Sequence, residues 1–147
     1  MLVDAGLLVY ATFADAPEHE RAREWLESRL AEGEGSVALC WPVLYAFVRL
    51  VASPRVLGPH AISVRRAWSV AAAHLAQPAV RIVAPGRGHA AIAQELAHTP
   101  GLRSDDVPDI ELAALAIEHG LVLASRDRGF RRFTQLRVLD PLADAAA

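Results

Sequence analysis

Five short apolar runs recur along this chain: MLV at residues 1–3, then SVALC, VRIVAP, LVLAS and LRVLD, with longer stretches between them. A strand with one wet face alternates apolar and polar residues. A run without that alternation suits a strand covered on both faces. Helices interleaved with such strands form the two outer layers of a parallel sheet. The expected fold class is therefore α/β, a three-layer α/β/α sandwich with a mostly parallel sheet of four to five strands. Residues 1–141 read as a single domain and 142–147 as a frayed tail.

The intervening stretches carry helix signals. PEHERAREWLESRLAEG is amphipathic, with Ala22, Trp25, Leu26 and Leu30 on one face, Pro17 opening it and Gly33 closing it. WPVLYAFVRLVAS has Pro42 in its first turn and is ended by Pro54. A longer helix is expected around PHAISVRRAWSVAAAHLAQ, stopping before Pro78, and another over GRGHAAIAQELAHTPG. The segment from Pro108 to His119 forms a further helix with Gly120 as its C-cap.

With 147 residues, 53% of them hydrophobic, the chain can bury a sizeable core without staples. All 15 cationic residues are arginine and the formal net charge is −2, so no global positive field marks a nucleic-acid binder. Cys40 stands alone within an apolar run, which excludes an internal disulfide and suits a buried small hydrophobe. The N-terminal stretch lacks a basic leader, Asp4 interrupts it, and no run approaches the roughly 20 apolar residues of a membrane span. A cytoplasmic protein without a membrane segment is expected. The six histidines form no HxxxH pair, which argues against zinc.

In a parallel sheet, ligands sit outside the carboxyl ends of the strands. Asp4 directly follows the first apolar run, and Asp127 follows LVLAS by two residues, counting from Ser125. Asp109 lies in the first turn of the helix leading into LVLAS. Carboxylates gathered at one apolar-walled edge repel each other and lose solvation, a cost that a divalent cation removes. Hard oxygen donors suit Mg²⁺ or Mn²⁺. The plain alternative for Asp109 is capping, since an aspartate at a helix start satisfies free N–H groups; for Asp127 it is pairing with Arg126 or Arg128 in a surface turn. Capping or solvent exposure is favoured for Asp105 and Asp106. Asp4 resists it, because an acid inside LVDAGLLVY interrupts a buried run.

MLVDAGLLVYA resembles the opening motif of PIN-domain ribonucleases, and VPDIELAALAIEHGLVLASRDRGFRRF resembles their closing one. With CWPVLYAFVRLVASPRVL between, nearly the whole chain resembles a VapC-type toxin of a toxin–antitoxin pair. The resemblance implies an RNA-cleaving enzyme whose acidic cluster binds Mg²⁺ or Mn²⁺. It implies catalytic and metal-binding roles for Asp4, Asp109 and Asp127, and an accessory role for the hydroxyl of Ser125. A VapB-type antitoxin, an RNA substrate and a homodimer are the implied partners.

Two positions depart from the family pattern. Ala46 stands where the family has a second acid, a glutamate, and Gly6 where it commonly has Asn or Ser. Drift and deliberate replacement of a toxic glutamate leave the same mark at Ala46, and the second departure at Gly6 favours drift. Asp105, Asp106 and Glu111 are candidate stand-ins, ranked below simple loss of the acid. Arg126, Arg128, Arg131 and Arg132, clustered beside Asp127, are candidate RNA contacts, since a guanidinium grips phosphate with two hydrogen bonds. A solvated turn is their equal alternative. The competing function is a PIN domain that binds RNA or antitoxin without cutting. A phosphate-receiver domain is excluded, since it needs a lysine and this chain has none.

Overall fold

Leu2 and Val3, both fully buried, form the central strand β1 (Leu2–Val3) of the computed structural model, which describes residues 1–143. β1 pairs in parallel with β2 (Val37–Leu39) on one side and β4 (Leu123–Ala124) on the other. β3 (Val80–Ile82) lies outside β2 and β5 (Val138–Leu139) outside β4, so the order is β3-β2-β1-β4-β5, parallel throughout. The three inner strands are wholly buried, whereas the edges expose Ile82 and Leu139. The continuous apolar runs therefore report inner strands better than edge strands, whose outer flanks remain wet.

Helices α1 (Ala5–Thr12) and α2 (His19–Leu30) connect β1 to β2. α3 (Trp41–Val51), α4 (Pro54–Leu57) and α5 (Val64–Leu75) connect β2 to β3, and α6 (His89–Leu96) and α7 (Val107–Glu118) connect β3 to β4. α1 packs on α2 and α3, and α3 on α5, while α6 and α7 pack on each other. Right-handed crossovers explain the two layers: the chain first winds from β1 towards β3, then reverses to reach β4. The result is the expected α/β/α sandwich, with a core centred on Phe47, Leu39, Leu44 and Leu115.

Some helix boundaries shift for local reasons. The helix expected from Pro59 starts at Val64, capped by Ser63, whose side chain accepts from the Arg66 N–H at 3.2 Å. Gly58–His60 instead makes a separate 3-10 turn. α6 begins only at His89, because the Gly86 and Gly88 N–H groups both donate to the Glu118 carboxylate at 2.9 Å. Leu142, placed in the tail by sequence, packs in the core at 2% exposure; residues 144–147 of that tail lie outside the described residues. Trp41 is 47% exposed. Cys40 is fully buried, and burial pushes its thiol up to about 11, as befits an inert hydrophobe.

Candidate active site

The strand order reverses between β1 and β4, and the crevice outside such a switch point is where open α/β sheets bind ligands. Parallel register sets the local geometry. Leu2 faces Leu123 and Val3 faces Ala124, so the next residues, Asp4 and Ser125, leave the sheet side by side. The Asp4 N–H donates to the Ala124 carbonyl at 3.0 Å, completing the ladder. The Asp4 backbone starts α1 from an extended conformation, but its side chain makes no cap hydrogen bond. It is held instead by the Ser125 hydroxyl, which donates to Asp4 Oδ2 at 2.7 Å.

Ser125 is 1% exposed and is the sole polar residue among the fully buried ones described. Its oxygen also accepts the Asp127 N–H at 3.0 Å, so one hydroxyl ties the ends of β1 and β4 together. Asp127 in turn opens the 3-10 turn Arg128–Arg132, accepting the Gly129 N–H on Oδ1 at 2.7 Å. Asp109 arrives from the opposite side, in the first turn of α7 behind Pro108. Asp4, Asp109 and Asp127 line one pocket of about 140 Å³, walled by Pro42, Val43, Ala46, Pro108 and Phe130.

The electrostatics are those of a site short of positive charge. Burial is the main cause that pushes the Asp4 carboxyl above its ordinary value, and the Asp127 charge adds to it; the Ser125 hydroxyl opposes it. Asp109 is raised as well, by burial first and then by Asp127, with Arg132 pulling the other way. Two acids that resist ionisation around one pocket, with hard oxygen donors only, fit a divalent cation in chemistry and charge. Among the described residues, no three His, Cys, Asp or Glu are grouped to hold an ion.

Ala46 faces this pocket from the middle of α3, where a longer acidic side chain would enter it. None of the stand-ins does so. Glu111 is exposed and lines a neighbouring groove beyond Ala46 and Pro108. Asp105 is exposed. Asp106 accepts the Arg103 N–H on Oδ2 at 2.7 Å, and this contact above all lowers its carboxyl. Capping at Asp106 thus holds for the 3-10 turn Ser104–Asp106, not for α7.

The four arginines divide. Arg128 and Arg131 are exposed. Arg126 pairs with Glu18 at 3.0 Å, lies 3.9 Å from Asp140, and stacks over Tyr10 at 5.9 Å. Arg132 pairs with Asp106 at 2.9 Å and reaches Asp109 at 3.5 Å. Phe130 and Phe133 are buried in the core. Sequence reasoning missed the links from Arg126 to Glu18 and from Arg132 to Asp106. Both join distant segments, and no local pattern announces them.

A PIN domain family model matches residues 1–136. Among curated proteins, the VapC ribonuclease Mb2897 of Mycobacterium bovis is 39% identical over 142 residues, covering 97% of this chain and 95% of that protein. Ribonuclease VapC33 of Mycobacterium tuberculosis is 34% identical over 149 residues, covering 98% of this chain and 99% of that protein. Among solved structures, VapBC2 of Rickettsia felis bound to a promoter DNA fragment aligns with a TM-score of 0.70 at 17% identity, over 94% of this chain and 96% of the other. The sarcin–ricin-loop-cleaving toxin VapC20 of Mycobacterium tuberculosis aligns at 0.65 and 20% identity, over 92% and 98%; these two likenesses speak for the fold. The chain belongs to the PIN-domain family, within its VapC group.

Proposed function

We propose that this chain is the ribonuclease toxin of a toxin–antitoxin pair, hydrolysing RNA phosphodiester bonds with Mg²⁺ or Mn²⁺ and neutralised by a VapB-type antitoxin. One observation carries the reading: three carboxylates from segments far apart in sequence line a single pocket at the switch point of the sheet. Its relatives are named ribonucleases, and a structural neighbour is a VapBC complex.

Asp4, Asp109 and Asp127 would hold the ion. When bound, it supplies an acidified water and charge relief at the phosphate. The protein's own part is orientation. Ser125 fixes Asp4 through its hydroxyl and Asp127 through its backbone, so both acids present their free oxygens at one edge. Phe130, Leu112 and Val43 wall the pocket and thin out competing water. Arg128 and Arg131, exposed beside Asp127, are the arginines placed to meet phosphate without first leaving a partner seen in this fold.

The exposed Trp41, Tyr45 and Val64, with the half-buried Trp68 against Tyr45, form an apolar face on α3 and α5 that supports a homodimer. No helix among the described residues is long and apolar enough to cross a membrane.

The second reading is a PIN domain that binds RNA or antitoxin without cutting. Ala46 favours it, since the pocket lacks a fourth acid. RNA cleavage with Mg²⁺ or Mn²⁺ separates the two, comparing the chain with Ala46→Glu and with Asp4→Asn in each background. Activity that Ala46→Glu raises and Asp4→Asn abolishes supports the nuclease. Binding without cleavage in both backgrounds supports the second reading.

A further inference from the structure

Arg132 is engaged through every nitrogen of its guanidinium. Nε donates to the Gly129 carbonyl at 2.6 Å, Nη1 pairs with Asp106 Oδ1 at 2.9 Å, and Nη2 lies 3.5 Å from Asp109 Oδ2. Its carbon rests 5.8 Å from the ring centre of the buried Phe133. Gly129 makes the arrangement feasible: a Cβ there would stand 2.6 Å from Arg132 Nη2 and 2.9 Å from Asp127 Oδ1. A bare backbone therefore lets one tight turn carry both the Asp127 carboxylate and this guanidinium.

The three contacts are unequal. The bonds to Gly129 and Asp106 have hydrogen-bond length, whereas 3.5 Å to Asp109 is a looser, charge-only contact. Asp106 serves no other purpose in the pocket, which it does not line. Asp109 does line it, with two other acids. The guanidinium is thus anchored outside the pocket and lent to it through one nitrogen.

We propose that Arg132 is the resident cation of the acidic pocket in the metal-free protein. It yields Asp109 to an incoming divalent ion while staying anchored on Asp106 and Gly129. The freed Nη2 then becomes a donor for an RNA phosphate oxygen, a last step that rests on the nuclease reading. The exchange follows from charge: Asp109 cannot serve a guanidinium and a divalent ion fully at once, and the ion carries twice the charge.

The test needs no RNA. Mn²⁺ affinity is measured by calorimetry for the full chain and for Arg132→Gln, and arginine side-chain NMR of the unaltered protein follows a Mg²⁺ titration. The expected results are roughly tenfold tighter Mn²⁺ binding in Arg132→Gln, and movement of the Arg132 Nη signals with the same midpoint as ion binding. Unchanged or weaker Mn²⁺ binding in a folded Arg132→Gln overturns the proposal, as do Arg132 signals that stay still at ion saturation. Should the variant not fold, the NMR titration decides alone. Cleavage assayed in parallel keeps the readings apart: exchange at Arg132 without cleavage defeats the nuclease, and cleavage with a motionless Arg132 defeats the exchange.

Discussion

The two walls of the acidic pocket hold their carboxylates in different ways. On the sheet wall, Asp4 is fixed by strand register and by a fully buried neutral hydroxyl, Ser125. On the helix wall, Asp109 stands in the first turn of α7 and leans on a charged side chain from a later turn. Both carboxyls are raised by burial, yet only the second has a cation to soften the cost. The contrast teaches that position and charge are supplied separately here. The sheet wall contributes geometry that cannot move without breaking the ladder, and the helix wall contributes a charge that can.

The hardest blow to the sheet wall is Asp4→Asn. It should lower cleavage at least a hundredfold, since losing even a supporting group around a metal costs about 10- to 100-fold, as a gel assay with Mg²⁺ or Mn²⁺ would show. The same change should stabilise the protein in chelator at neutral pH. A carboxyl raised in the fold holds its proton longer than in the unfolded chain, so stability is greatest below the unfolded value and falls as pH rises through the folded one. The contribution of Asp4 to thermal stability in chelator should therefore fall from acid towards neutral pH, so the melting-point advantage of Asp4→Asn should grow over that range. An advantage that stays constant across that range would show that the Asp4 carboxyl is not raised by the fold.

Ser125→Ala attacks the same wall without touching an acid. It removes a donor from Asp4 and an acceptor from the Asp127 N–H, at a cost of about 1–3 kcal/mol in urea unfolding. Metal affinity should fall with it, because both acids lose their fixed orientation. A Ser125→Ala protein of ordinary stability would place the anchoring elsewhere.

On the helix wall, Gly129→Ala crowds Arg132 and Asp127 together. Arg132 can swing away, so the expected destabilisation is about 1 kcal/mol, at the low end for an overpacked site. A larger loss would mean that the turn itself, rather than the guanidinium, gives way. The smallest effect belongs to Gly6→Asn. No atom lies within 4 Å of a Cβ at Gly6, and glycine inside a helix is itself unfavourable. Its melting point should correspond to a change within about 0.5 kcal/mol. A strong loss would show that the space beside Asp4 is needed empty.

The sequence by itself determined the alternation of strands and helices, hence the sandwich, and which acids follow the strands. Continuous apolar runs and the residues just beyond them are local features, and strand ends in a parallel sheet converge whatever the details of the helices. Ser125 was marked out by the family resemblance, and the fold places it one residue past β4. The tertiary structure alone decided that Asp109 shares its charge with Arg132, that Arg126 is engaged by Glu18, and that Glu111 falls in a neighbouring groove rather than in the acidic pocket that Ala46 lines. It also decided that Leu142 belongs to the core and Trp41 to the surface. Each of these depends on the rotation of a helix or the path of a turn about its neighbour. A few degrees there choose between two partners, and nothing in the spacing of residues along the chain records the choice.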